Sequence, residues 1–299
     1  EPPHAAGDGL ASARRARHQT PTIHLSIGAV SLMSSTHEVQ QVAPRVALIL
    51  APNPSEWTLD GTNTWIVGSP DSHERAVIDP GPIDEAHLQR IVDALDGRRL
   101  TQIWLTHSHG DHASSAGLLA ERTGAMVFTA RARAGQTSVA DGELYSLGGV
   151  PMRVHGIPGH TLDSLGFELE EDGVVFPGDT LLGKGSSMVG PGLMGEMLTT
   201  LARLQALAVA GSGRGFPGHG PILEDLGAAA ASRLAARVRR IEEVEALAQT
   251  GATVDQITAE LYSHVTAATL QLPARLTVES ILEYLRKRDH DVSIGAADR

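Results

Sequence analysis

"THSHGDHASSAG", residues 106–117, places His107, His109, Asp111 and His112 within six positions. With 14 histidines in 299 residues, a cluster this tight asks for a chemical reason. A metal supplies one, because neutral imidazole and carboxylate are natural donors to divalent cations. The chain has no cysteine, which excludes disulfides, thiolate ligands and a cysteine nucleophile. Any zinc is therefore held by nitrogen and oxygen alone.

Outward from the cluster, "QIWLT" (102–106) predicts a buried strand running straight into the histidines, and "ASSAGLLAERTG" (113–124) predicts a small-residue helix leading away. Upstream, "VALIL" (46–50), "NTWIVG" (63–68) and "RAVIDPG" (75–81) predict short strands. "DEAHLQRIVDALDG" (84–97) predicts a helix, with Leu88, Ile91, Val92 and Leu95 on one face and Gly97 as its stop. Downstream, "AMVFTA" (125–130) and "PMRVHGIPGHT" (151–161) continue the strand pattern. "LGFELEEDGVVFPGDT" (165–180) reads as a hairpin turning near Asp172 and Gly173. After the helical stretch "MLTTLARLQALAVAG" (197–211) comes "GFPGHGP" (215–221). Three apolar runs thus end in Pro-Gly followed by a metal-capable side chain: His160, Asp179 and His219. Site residues concentrate in loops braced by a sheet.

These motifs together, "HSHGDH" (107–112), "GH" (159–160), "GD" (178–179) and "GHG" (218–220), resemble the metallo-β-lactamase superfamily of dinuclear metal hydrolases. The resemblance covers residues 45–225. It implies an α/β fold, a four-layer αββα sandwich with the metals at one edge between the two sheets. It assigns His107, His109 and His160 to a first metal and Asp111, His112 and His219 to a second, with Asp179 bridging. Two zinc ions are the expected cofactors, with iron or manganese as alternatives on the same donors. A hydroxide bridging the metals would attack a carbonyl or phosphorus centre, with Asp111 as the catalytic residue that directs it. The best-known β-lactamase subclass carries a cysteine where Asp179 stands, so lactam hydrolysis is not the expected role. Glyoxalase-II-like thioesterases and the nucleases of the superfamily both keep the aspartate.

"NPSEWTLDGTNTWIVG" (53–68), "GDTLLGKGSS" (178–187) and "PGHGPI" (217–222) resemble more specifically the subgroup of the mitochondrial single-strand endoribonuclease and its bacterial relatives. That resemblance implies a small helical, winged-helix-like C-terminal domain. The residues agree with helices: "GATVDQITAELY" (251–262) opens with a Thr253–Gln256 capping box, and "TVESILEYLRKR" (277–288) aligns Val278, Ile281, Leu282 and Leu285. The expected organisation is an N-terminal extension over 1–35, disordered or not native to the protein, a catalytic domain over 36–225 and a helical domain over 226–299. The segment before Met33 has neither a helical nor a strand period, so it is expected to be dispensable.

Composition bounds the function. A content of 41% hydrophobic residues is enough for a core, and 32 glycines with 16 prolines imply many turns. The net charge of −11 argues against a generally sticky nucleic-acid binder. Aromatic residues at 3% offer few platforms for single-stranded bases. No apolar run approaches the roughly 18 residues of a membrane span, and a cytoplasmic protein with no membrane partner is expected. "RLAARVRR" (233–240) is followed by "IEEVEAL", so a solvated, salt-bridged helix face is a better reading than a nucleic-acid groove. Beside Asp179, Lys184 and Ser186 are candidate contacts to an anionic substrate, on an equal footing with a plain glycine-rich connection. Trp57, near Asn53, is a candidate wall of the cleft. Trp104 reads as core and His155 as a satisfied residue outside the metal set. The leading expectation is a small-molecule substrate, an anionic ester or thioester. Endonucleolytic cleavage of single-stranded RNA is the alternative, and a non-enzymatic metal-dependent binding module the third. The oligomeric state is left open.

Overall fold

Two sheets face each other in the computed structural model, which describes residues 38–265 and 268–297. The first sheet contains β1 (Gln40–Ala43), β2 (Val46–Leu50), β3 (Asn63–Val67), β4 (Glu74–Ile78), β5 (Arg99–Trp104), β6 (Met126–Thr129) and β7 (Gln136–Ser138), in that spatial order. Strands β1 to β4 pair antiparallel, and β4 to β7 pair parallel. The second sheet has the order β12-β11-β10-β9-β8, built from β8 (Leu144–Leu147), β9 (Val150–Gly156), β10 (Leu165–Leu169), β11 (Val174–Gly178) and β12 (Arg214–Pro217).

The two-residue period of a strand explains how each sheet serves two cores at once. In β3 and β4, Trp65, Val67, Ala76 and Ile78 point between the sheets, while Ile66 and Val77 point outward. In β11, Val174 and Phe176 face inward and Val175 faces out. The inner layer is anchored by aromatic contacts. Trp104 stacks on Phe128 at 4.3 Å, and Trp65 stacks on Phe216 at 4.9 Å, so residues of both sheets meet there. Trp104 is fully buried, as expected for a core residue.

Helices cover both outer faces. On the first sheet, α1 (Glu85–Ala94) is capped by the Asp84 side chain, which accepts the His87 N–H, and buries Leu88 and Ile91. The helix expected over 113–124 is confined to α3 (Ala116–Thr123), and a separate helical turn, α2 (Gly110–Ala113), precedes it. The cause is tertiary: the Ser115 N–H is drawn to the carbonyl of Gly81, and its hydroxyl to that of Pro82. On the second sheet, α4 (Met194–Ala210), α5 (Leu226–Gln249), α6 (Val254–Leu261) and α7 (Ala268–Ala297) pack through Met197, Leu201, Leu226, Val244, Ile257 and Ile281 against Ile157 and Val175. The result is an αββα sandwich with a C-terminal helical region. The capping box at Thr253 forms with both of its hydrogen bonds.

The helical region shares its apolar cluster with α4 and the second sheet. The arginines of "RLAARVRR" divide between two environments. Arg240 pairs with Glu243 at 3.3 Å, as a solvated face predicts. Arg237 instead turns inward, is buried, and donates to the carbonyl of Ser187. Nothing in the described residues bears on the N-terminal extension, which lies outside them. No helix among the described residues is long and apolar enough to cross a membrane.

Candidate metal centre

All seven residues singled out from the sequence gather at one edge of the sandwich. The first sheet delivers His107, His109, Asp111 and His112 from the turn after β5 and from α2. The second delivers His160 after β9, Asp179 after β11 and His219 after β12. They form two groups, His107 with His109 and His160, and Asp111 with His112, Asp179 and His219.

The Pro-Gly endings have a steric reason. Gly178 has φ +50°, and a Cβ there would stand 2.7 Å from the Cβ of Thr106. At Gly218 a Cβ would meet Asp179 Oδ1 at 2.2 Å and His112 Cε1 at 2.7 Å. A side chain at that position would enter the ligand cluster itself, so the backbone can approach only as glycine.

The outward ring nitrogen of each histidine determines what its inward nitrogen offers. His219 Nδ1 lies 3.1 Å from the carbonyl of Gly61, and His160 Nδ1 lies 3.1 Å from that of Met188. A carbonyl only accepts, so in the neutral rings these Nδ1 atoms carry the proton and Nε2 carries a lone pair. The His112 Nδ1 donates to Asp79 Oδ2 at 2.8 Å. The Thr106 hydroxyl donates to Asp79 Oδ2 at 2.6 Å and is therefore left to accept from His107 Nδ1 at 3.1 Å. Four Nε2 lone pairs thus point into the site.

They converge closely. His107 Nε2 and His160 Nε2 each lie 3.0 Å from His109 Nδ1. His112 Nε2 and His219 Nε2 are 3.2 Å apart. Asp111 Oδ2 and Asp179 Oδ2 lie 3.1 and 3.2 Å from His219 Nε2, and Asp179 Oδ2 is also 3.8 Å from His160 Nε2. Asp179 therefore stands between the two groups. Its Oδ1 is buried and accepts no hydrogen bond, although His112 Nε2 lies 3.4 Å away. Buried lone pairs facing one another without donors call for positive charge. This donor set fits two divalent cations.

Protonation behaviour agrees. Burial would raise the Asp179 carboxyl, but the charges of His112 and His219 outweigh it and hold the group well below the usual carboxylate range. Burial likewise opposes charge on His219, yet hydrogen bonds to Asp111 and Asp179 push it up to about 9. Burial first, then the neighbouring His112, keeps His107 well below its ordinary value. Without cations the carboxylates draw protons onto the imidazoles of the second group, whereas burial disfavours charge on His107 and His160.

Asp79 was not among the residues expected here. It is buried, with φ +51°, a left-handed conformation that a non-glycine residue adopts at a cost of about 1–3 kcal/mol. Its Oδ1 accepts the Thr106 N–H at 2.8 Å, and its Oδ2 takes both the Thr106 hydroxyl and the His112 Nδ1–H. One carboxylate thereby orients two rings, His112 directly and His107 through Thr106. The signal was present in "VIDPG" (77–81), an aspartate at the end of an apolar strand before Pro-Gly, much like the ending at Asp179. Asp79→Ala is expected to weaken zinc affinity about 10- to 100-fold, the usual effect of removing a partner that orients a ligand. Competition titration against a chromophoric chelator measures this, and an unchanged affinity counts against the role.

The two candidate substrate contacts lie on the loop that follows Asp179. Lys184 and Ser186 are exposed, and among the described residues neither forms a hydrogen bond or ion pair with the ligand side chains. Their buried neighbour Ser187 is the residue that reaches the cluster, its hydroxyl 3.1 Å from His160 Nδ1. Asn53, near Trp57, ties the loop that carries Gly61: its Oδ1 accepts the Thr62 N–H and its Nδ2 donates to the Thr62 hydroxyl. Trp57 is half exposed. His155 lies outside the centre, as its place in the sequence suggested, held between Glu168 at 2.6 Å and Arg203 at 3.0 Å.

Comparison with known proteins gives a consistent result. The family described as the metallo-beta-lactamase superfamily matches residues 57–136 and 128–241. The lactamase-like protein ptaB of Pestalotiopsis fici is 31% identical over 275 residues, covering 87% of this chain and 84% of that protein. The atrochrysone carboxyl ACP thioesterase AgnL7 of Paecilomyces divaricatus is 35% identical over 208 residues, covering 68% of this chain but only 64% of that protein's length. A metallo-beta-lactamase family protein from Thermus thermophilus superposes with a TM-score of 0.69 at 23% identity, over 83% of this chain and 95% of that one. That likeness is one of fold.

Proposed function

This chain belongs to the metallo-beta-lactamase superfamily, and on that premise we propose that it is a zinc-dependent hydrolase whose substrate is a thioester with a small anionic acyl portion. The observation that carries the reading is the convergence of seven donors with their lone pairs turned inward around a buried, unsatisfied Asp179 oxygen. The thioesterase named among the relatives supports the choice of substrate class. His107, His109 and His160 would hold one cation and Asp111, His112 and His219 the other, with Asp179 shared. Zinc suits a set of imidazoles and carboxylates without thiolates, and iron or manganese would use the same atoms. Two such cations, when bound, would supply Lewis acidity for a thioester carbonyl and would lower the pKa of water to make it a nucleophile at neutral pH.

The protein's own groups then have separate tasks. Asp111 is the more open of the two carboxylates, its side chain 30% exposed against 10% for Asp179. It can accept a hydrogen bond from the attacking water and fix its direction while keeping Oδ2 against His219. Asp79 and Thr106 keep the lone pairs of His107 and His112 directed inward. The carbonyls of Gly61 and Met188 do the same for His219 and His160.

Of the three consecutive basic residues Arg286, Lys287 and Arg288 in α7, the last is not free to meet RNA. Arg288 is already committed to Glu245 at 2.6 Å and to Asp289 at 3.0 Å. The test is turnover of the zinc-loaded protein on acyl thioesters and on single-stranded RNA across salt concentrations. Thioester hydrolysis with a shallow salt dependence is expected. Efficient RNA cleavage that falls steeply with salt, without thioester turnover, would replace this reading with the nuclease one.

A further inference from the structure

The β6–β7 connection holds two arginines that the centre described above does not use. β4, β5, β6 and β7 run parallel, so their carboxyl ends share one edge of the sheet, the usual place for ligands in parallel α/β structure. Beside the metal-ligand turn on that edge is a cavity of about 480 Å³, within the range of a small-molecule site. Its lining includes Leu105, Ser108, Thr129, Arg131 and Arg133, together with Asp163 from the β9–β10 connection. Ser108 lies between His107 and His109, and Asp163 follows His160 by three residues. The cavity therefore abuts both loops that supply the first group of imidazoles.

Its lining carries unpaired positive charge, whereas Arg45, Arg122, Arg153, Arg203 and Arg214 elsewhere each pair with a carboxylate. Arg131 and Arg133 form no ion pair among the described residues, in a protein with a net charge of −11. Asp163 forms none either and offsets one of the two, leaving the lining with a net charge of +1. The loop is also tied in place. The Arg133 N–H donates to Gln136 Oε1 at 2.9 Å, the Gln136 N–H donates to the Arg133 carbonyl at 3.0 Å, and the Ser138 hydroxyl donates to the carbonyl of Ala130 at 2.9 Å. Guanidinium groups present a fork of donors matched to an anionic oxygen pair.

We propose that this cavity is the acyl-group subsite, and that Arg131 and Arg133 there bind a carboxylate carried on the acyl chain of the substrate. The proposal rests on the thioesterase reading and deepens it, making the enzyme selective for acyl groups with a negative charge near the scissile carbonyl. A thiol-side phosphate, such as that of a pantetheine arm, lies at the far end of a long chain from the sulfur. The cavity adjoins the His107–His109 turn itself, which places its anion on the acyl side.

The experiment compares succinyl and butyryl thioesters of N-acetylcysteamine, then butyryl thioesters of N-acetylcysteamine and coenzyme A, in the zinc-loaded wild type and in Arg131→Ala/Arg133→Ala. The wild type is expected to favour succinyl over butyryl by about ten-fold or more in kcat/KM, the scale of one charge-assisted hydrogen bond. That ratio collapses in the double variant and returns in part in Arg131→Lys/Arg133→Lys. A succinyl preference that survives the double variant overturns the assignment. So does an arginine-dependent preference for coenzyme A with no acyl-charge preference. Calorimetric binding of glutarate to the zinc-loaded proteins separates the failure of this proposal from the failure of the thioesterase reading. Tighter binding to the wild type than to the double variant supports the subsite even if no thioester is hydrolysed. Equal binding refutes it.

Discussion

Asp179→Ala is expected to lower activity at least about a thousand-fold and to reduce the metal content of both groups after zinc loading. Asp179 is the carboxylate that reaches toward both among the described residues: its Oδ2 lies 3.2 Å from His219 Nε2 and 3.8 Å from His160 Nε2. Removing it leaves the first group with the imidazoles of His107, His109 and His160 and no carboxylate, and takes one of two carboxylates from the second group. His219→Ala provides the contrast. It deletes a ligand of the second group alone, so about one cation should remain on the three histidines of the first. His155→Ala is the control, because it disturbs a buried network with Glu168 and Arg203 that does not touch the centre. Elemental analysis of the three variants distinguishes these outcomes. Full occupancy in Asp179→Ala, or loss of both metals in His155→Ala, would overturn the assignment.

What could be read from the sequence, and what could not, divides along a physical line. The inner strands were legible because burial on both faces makes them short apolar runs, as "VALIL" and "GVVFPG" show, and the helical spacing of Leu88, Ile91, Val92 and Leu95 before Gly97 marked α1. The ligand endings were legible because a polar group after an apolar strand and Pro-Gly has no reason to be there in a core. β1, β7 and β8, by contrast, are three- or four-residue strands with largely exposed side chains, which leaves no alternation to detect. The break between α2 and α3 depends on the carbonyl of Gly81, more than thirty residues away, so no local propensity announces it. Arg237 was read with its charged neighbours, yet the Ser187 loop folds over it and takes its hydrogen bond. The difference between Ser186 and Ser187 is likewise tertiary: adjacent residues of an irregular loop point in different directions, and only the second meets His160. Asp79 was overlooked because Asp-Pro-Gly is also ordinary turn composition.

The same geometry predicts a large effect of metal on stability. Each cation would join both sheets, since His107 to His112 come from the first and His160, Asp179 and His219 from the second. The unfolded chain does not hold these donors together, so binding favours the folded state. At free zinc about a thousand-fold above the dissociation constant, the gain is about 4 kcal/mol. For a unit of this size, that corresponds to a rise in Tm of about 10 °C. The metal-free protein carries its own pH dependence. Its His219 has a pKa raised to about 9 from an ordinary 6.5. A raised folded value contributes stability that is fully present below 6.5 and is lost as pH rises through 9. Metal binding displaces that proton, so affinity also rises over the same interval. The difference in Tm between zinc-loaded and chelated protein should therefore widen as pH increases from 6.5 to 9, and differential scanning calorimetry at several pH values reads it directly. Identical melting with and without zinc across that range would mean that the seven side chains do not hold metal in the folded protein, and the mechanism built on them would fall.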